Sequence, residues 1–86
     1  MKREELLEVL NLAIDVCLNH YQVQDEYYHA AQNCQAILTW TDAEDHFDEV
    51  ATLLRQGMKD IDDHVLWKKL HIALNALQLY ELTQES

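Results

Sequence analysis

The chain contains no proline and a single glycine, Gly57. Turn-rich β folds need such residues to reverse direction, so their scarcity points to helices throughout. Apolar residues recur at helical spacing, and four helices are predicted. The expected fold is all-α, a small antiparallel bundle of four helices. At 86 residues the chain makes one domain, 1–86, with a modest core.

The first helix is expected from about Arg3 to Tyr21. Glu4, Glu8, Asn11, Asp15 and Asn19 share one narrow strip, and apolar residues fill the remaining arc, roughly 240° wide. An ordinary surface helix buries a stripe nearer about 100°. This helix must therefore be covered on more than one side. A break is expected near Gln22–Gln24, with Asp25 as a cap. One helix from Arg3 to Thr39 is the alternative, which gives three helices with a long first one.

The second helix, about Asp25 to Thr39, places Tyr27, Ala30, Ala31, Cys34, Ile37 and Leu38 on one face. Thr41-Asp42-Ala43-Glu44 has the form of a capping box. The third helix that follows it buries Phe47, Val50, Ala51 and Leu54. Gly57 suits a left-handed stop at its end. Asp60 or Asp62 is expected to cap the last helix, about Asp62 to Thr83, whose apolar arc is again roughly 240°. Large exposed apolar patches mark contact sites. The backs of the first and last helices thus predict a two-fold homodimer, through Leu7, Ile14 and Leu18 with Val65, Ile72 and Leu79.

Charge is distributed as unevenly as hydrophobicity. Between Glu4 and Leu54 there are eleven acidic residues and no Lys or Arg, within a chain of net charge −10. Such a surface repels nucleic acid and anionic lipid and attracts basic protein surfaces. Direct nucleic-acid binding is not expected, because phosphate contacts need Lys and Arg. Glu8 and Asp15 interrupt the first apolar run, so neither a signal peptide nor a membrane span is expected. The cytoplasm is the expected location. Cys17 and Cys34 are too few for a secreted disulfide scaffold and read as buried thiols packing as small hydrophobes.

Asp42, Glu44, Asp45, Asp48 and Glu49 fall largely opposite Phe47 and Leu54. Tyr28 is expected to point outward, with Trp40 also on the outer side. Aromatic residues beside acids have the composition of a hot spot for a basic partner. In Asp25-Glu26-Tyr27-Tyr28, and in size and charge, the chain resembles the small acidic helical immunity proteins that inhibit bacterial nuclease toxins. That resemblance covers four residues and bulk properties. It implies an inhibitor with a Tyr-Tyr pair among carboxylates.

No nucleophile elbow, Gly-rich phosphate loop or other catalytic frame stands out, so neither an enzyme nor a cofactor is expected. The expected function is a small protein-binding module, an inhibitor or regulator that docks a basic surface. Two other classes compete. Glu26-x-x-His29 matches the paired ligands of ferritin-like metal-binding bundles, although both residues project off the apolar face. The apolar terminal helices also suit a structural subunit of a larger complex. Asp42 with His46, and Asp60 with His64, are each four apart and offer two metal ligands without a third.

Overall fold

A computed structural model describes residues 1–85. Four α-helices follow one another: α1 (Arg3–His20), α2 (Glu26–Ile37), α3 (Phe47–Asp60) and α4 (His64–Glu85). A 3-10 turn, Ala43–His46, leads into α3. No strand occurs among the described residues.

The break after α1 is real. A continuous helix from Arg3 to Thr39 would be about 55 Å long, whereas the longest dimension of the molecule is 38 Å. Asp25 starts α2 as expected: its carboxylate accepts from the Tyr27 amide at 2.8 Å. Chain reversal at Tyr21–Asp25 then lets α2 run back along α1. Gln35 donates to Asn11 and Asp15 on α1, and Arg3 reaches the Trp40 carbonyl just past the end of α2. Phe47 meets Tyr80, so the start of α3 lies against the end of α4. The Tyr21 hydroxyl donates to Asp60 at 2.7 Å and ties the ends of α1 and α3 together. The helices therefore alternate in direction, as short connections favour.

Both α1 and α3 pack against α2 and α4 as well as each other. Leu6, Leu10, Ile14 and Cys17 of α1 meet Phe47, Val50 and Leu54 of α3 and Leu70 and Leu77 of α4 in one core cluster. This arrangement explains the wide apolar arc of α1, which has three neighbouring helices. Leu7 and Leu18 are half-buried against the core, and Leu12 is exposed. The equally wide arc of α4 is not covered: Val65, Ile72 and Leu79 are all more than half exposed, at 64, 53 and 64 %.

Three local expectations are corrected. The capping box does not form: neither Asp42 nor His46 makes a side-chain cap, and Glu44 is bound elsewhere. It is Asp63 that caps α4, its carboxylate accepting from the amides of Val65 and Leu66. Asp60 instead serves Tyr21 and Gln56. Gly57 does not stop α3. The helix continues to Asp60, and no described residue has a positive φ.

The reason for glycine at 57 is proximity. A Cβ there would stand 2.8 Å from Leu70 Cδ1 and 3.1 Å from Cys17 Sγ. Glycine costs a helix interior about 1 kcal/mol relative to alanine. Overfilling a packed core costs about 1–3 kcal/mol, so the close approach outweighs the propensity. Gly57→Val is expected to lower stability by about 3 kcal/mol in urea denaturation. An unchanged midpoint would show that α3 can draw back without loss.

Candidate functional site

Sequence reasoning placed the functional residues on α3 and the turn before it. Asp42, Glu44, Asp45, Asp48 and Glu49 are all exposed. Asp48 and Glu49 occupy the first turn of α3, where the positive end of the helix dipole favours them. Neutralisation of the surface is sparse. Among the described residues the ion pairs are Arg3 with Glu44 at 2.7 Å and His46 with Asp42 at 3.5 Å. Lys59, Lys68 and Lys69 form no ion pair with a described residue.

Arg3 shapes the turn. Its guanidinium donates to the Glu44 carboxylate and to the carbonyls of Trp40, at 3.0 Å, and Thr41, at 3.4 Å. The hydrogen bond from Arg3 holds the Glu44 carboxyl below the usual carboxylate range, and the same contact raises Arg3. This contact spans 41 residues and removes Glu44 from its expected capping role. Trp40, 44 % exposed, packs edge-on against His46 with ring centres 5.1 Å apart. It thus borders the acidic turn.

The two tyrosines are more alike than expected, since both are half-buried against the core. Tyr28 is half-buried and packs against the core. It shares its helical phase with Gln35, which bonds across to α1. The neighbouring Tyr27 packs against the core as expected and also borders a groove of about 360 Å³ between α2 and α3, together with Asp48 and Glu49. Tyr27 is therefore the aromatic residue placed beside these acids.

A second depression, of about 420 Å³, lies between the start of α3 and the end of α4. Asp45 and Asp48 border it on one side and Glu81 on the other, with Phe47 and Tyr80 among its lining. Glu81 has no sequence signal, since it stands far along the chain from the acidic run and on an apolar helix. Only the antiparallel packing of α3 and α4 brings it to the acids of α3.

Glu26 and His29 are both exposed. No group of three metal-type ligands occurs among the described residues. Asp42 and His46 contact each other, while His64 stacks on Trp67. Of the residues expected at a dimer contact, Ile14 is fully buried in the core of its own chain, and Leu7 and Leu18 are half-buried. Val65, Ile72 and Leu79 remain exposed. On α1 the exposed residue beside them is Leu12, which joins Val9, Leu66 and Ile72 along a groove of about 580 Å³. No helix among the described residues is long and apolar enough to cross a membrane.

Comparison with protein-family models, with curated proteins and with solved structures gave no match.

Cys17 and Cys34 are free and buried. Burial pushes Cys17 up to about 12, with Cys34 adding to the rise, and pushes Cys34 up to about 11, with Glu49 adding. The reactive thiolate is thus suppressed. Burial, then the hydrogen bond to Asp60, also raises Tyr21. These groups stay protonated in the fold at a pH where the unfolded chain has ionised. Their contribution is complete below the ordinary thiol value of 9.0 and is lost as pH rises toward 11 and 12. Urea denaturation should show stability falling above pH 9 by about 1.4 kcal/mol per pH unit for each thiol. The Cys17→Ala/Cys34→Ala variant should postpone the fall to above the ordinary tyrosine value of 10. A profile unchanged by that double replacement would show that the thiols do not set it.

Proposed function

We propose that this chain is a binding module that occupies a basic surface on another protein, as an inhibitor or regulator, in the cytoplasm. The observation that carries this reading is the exposed set Asp45, Asp48 and Glu49, none of which pairs with a cation among the described residues. Like-charge crowding on one helix start costs stability unless it is offset. A basic partner supplies the missing counter-charge and is steered to it from a distance. Tyr27 and Trp40 add aromatic area at the two edges of the acidic region. The expected behaviour is capture of a basic partner from native extract at low salt and its release by a salt gradient. Asp45→Lys, Asp48→Lys and Glu49→Lys together should abolish capture. Retention of the partner with an unchanged salt profile would refute the electrostatic reading.

The homodimer is part of this proposal, with its contact moved outward on α1. The groove between α1 and α4 has Asp15 on one wall and Lys69 on the other. A two-fold axis over such a groove sets Asp15 of each copy near Lys69 of its mate, while Leu12, Ile72, Val65 and Leu79 are withdrawn from water. Opposite charges on the two walls make the patch complementary to itself. Sedimentation equilibrium should give the mass of two chains, and Ile72→Glu should give that of one. A wild-type monomer with the patch still open would favour the competing reading, a subunit docked through α4.

A further inference from the structure

Two grooves in the molecule have apolar linings, and their charges differ. The groove between α1 and α4 carries an acid, Asp15, and a base, Lys69. The groove between α2 and α3 carries Asp48 and Glu49 and has no basic side chain on its lining. Cys34 and Leu53, both buried, form its floor, and Ala30 and Tyr27 line the α2 side. Tyr27 is held in place there. Asp25 accepts from its amide, and its ring packs on Tyr21 with centres 5.4 Å apart. Burial raises the Cys34 thiol and Glu49 adds to the rise, so the Glu49 charge is felt at the floor of the groove. Neither Asp48 nor Glu49 has an ion pair among the described residues.

We propose that the groove between α2 and α3 receives a leucine-sized apolar side chain of the basic partner, from a segment whose neighbouring Lys or Arg pairs with Asp48 and Glu49. The inference rests on the basic-surface reading above and names the anchor that locks the partner in place. Charge selects this occupant over others. A second copy would bring a chain of net charge −10 to a rim that is itself negative. A fatty acid or an anionic lipid would suffer the same repulsion. A bare metal ion would find two carboxylates over an apolar floor, and no group of three ligands. Size agrees with the assignment: about 360 Å³ of open groove is at the small end of ligand sites and suits a side chain better than a cofactor. Exposed ion pairs contribute little by themselves, whereas an apolar side chain withdrawn from water contributes much more. The acids therefore steer and orient, and the floor of the groove supplies the hold.

The test is an NMR titration of the labelled protein with three peptides. Acetyl-Lys-Leu-Lys-amide should move the amides of Ala30, Cys34 and Leu53 along one saturable curve. Acetyl-Lys-Ala-Lys-amide, which keeps the charge and lacks the anchor, should bind about tenfold more weakly. Acetyl-Glu-Leu-Glu-amide, which keeps the anchor and reverses the charge, should produce no saturable shift. Ala30→Leu fills the groove from within and should weaken the first peptide by at least about fivefold. Glu49→Gln keeps the shape of the rim, and should weaken it by about threefold and flatten its dependence on salt. Equal affinity for the leucine and alanine peptides would overturn the inference. So would shifts confined to Asp48 and Glu49 while the floor amides stay still. Partner capture separates the two levels. If the triple lysine reversal on α3 abolishes capture while Ala30→Leu captures as the unaltered protein does, the basic surface stands and the anchor falls. If the reversal leaves capture unchanged, the basic-surface reading fails and the anchor with it.

Discussion

The close contact of α3 with α1 and α4 at Gly57 governs the arrangement of the other helices. Leu70 and Cys17 fill the space that a side chain at 57 would occupy. With no Cβ in the way, the end of α3 seats deeply between its two neighbours, and Tyr21 can then reach Asp60. At the other end of α3, Phe47 meets Tyr80 of α4. The depression with Glu81 is a consequence of this geometry. Withdrawing α3 would open the core and dissolve the depression together.

A chain of net charge −10 must place its acids where they repel least. Here they gather at helix starts, on the outside, and in the connections. Asp25 and Asp63 turn their charge to use as caps. Asp60 accepts from Gln56 and Tyr21 and is held low by those bonds. Asp45, Asp48 and Glu49 have no such internal employment, which is why attention falls on them rather than on the acids elsewhere. The basic residues do little to balance them, because Lys68 and Lys69 lie in the first half of α4, whereas the start of α3 lies against its end.

Much of the fold was legible. Helical spacing of the apolar residues, the lack of proline and the Asp25 cap give four helices and a turn near Gln22–Gln24, and the structure has both. The wide arc of α1 correctly required several neighbours. The misreadings share one cause. Gly57, Glu44 and Tyr28 were each assigned from rules of local sequence, and each is governed by a partner remote in the chain: Cys17 and Leu70, Arg3, and the packing of α2 on α1. A Ser/Thr-x-x-Glu pattern describes an available cap, but an arginine in reach binds the same carboxylate with a charge-assisted bond.

The sequence by itself determined which segments are helical, where most of them begin, and that acids crowd the middle of the chain while apolar residues crowd its ends. Those properties follow from spacing and composition, which are local. The tertiary structure decided which apolar residues stay open, Val65, Ile72 and Leu79 on α4 with Leu12 beside them on α1. It also decided which tyrosine stands beside the α3 acids, and that Glu81 joins them from the far end of the chain. Such outcomes depend on how helices pack, and packing depends on side-chain volumes meeting across the core. No periodicity along a single strand of text encodes that.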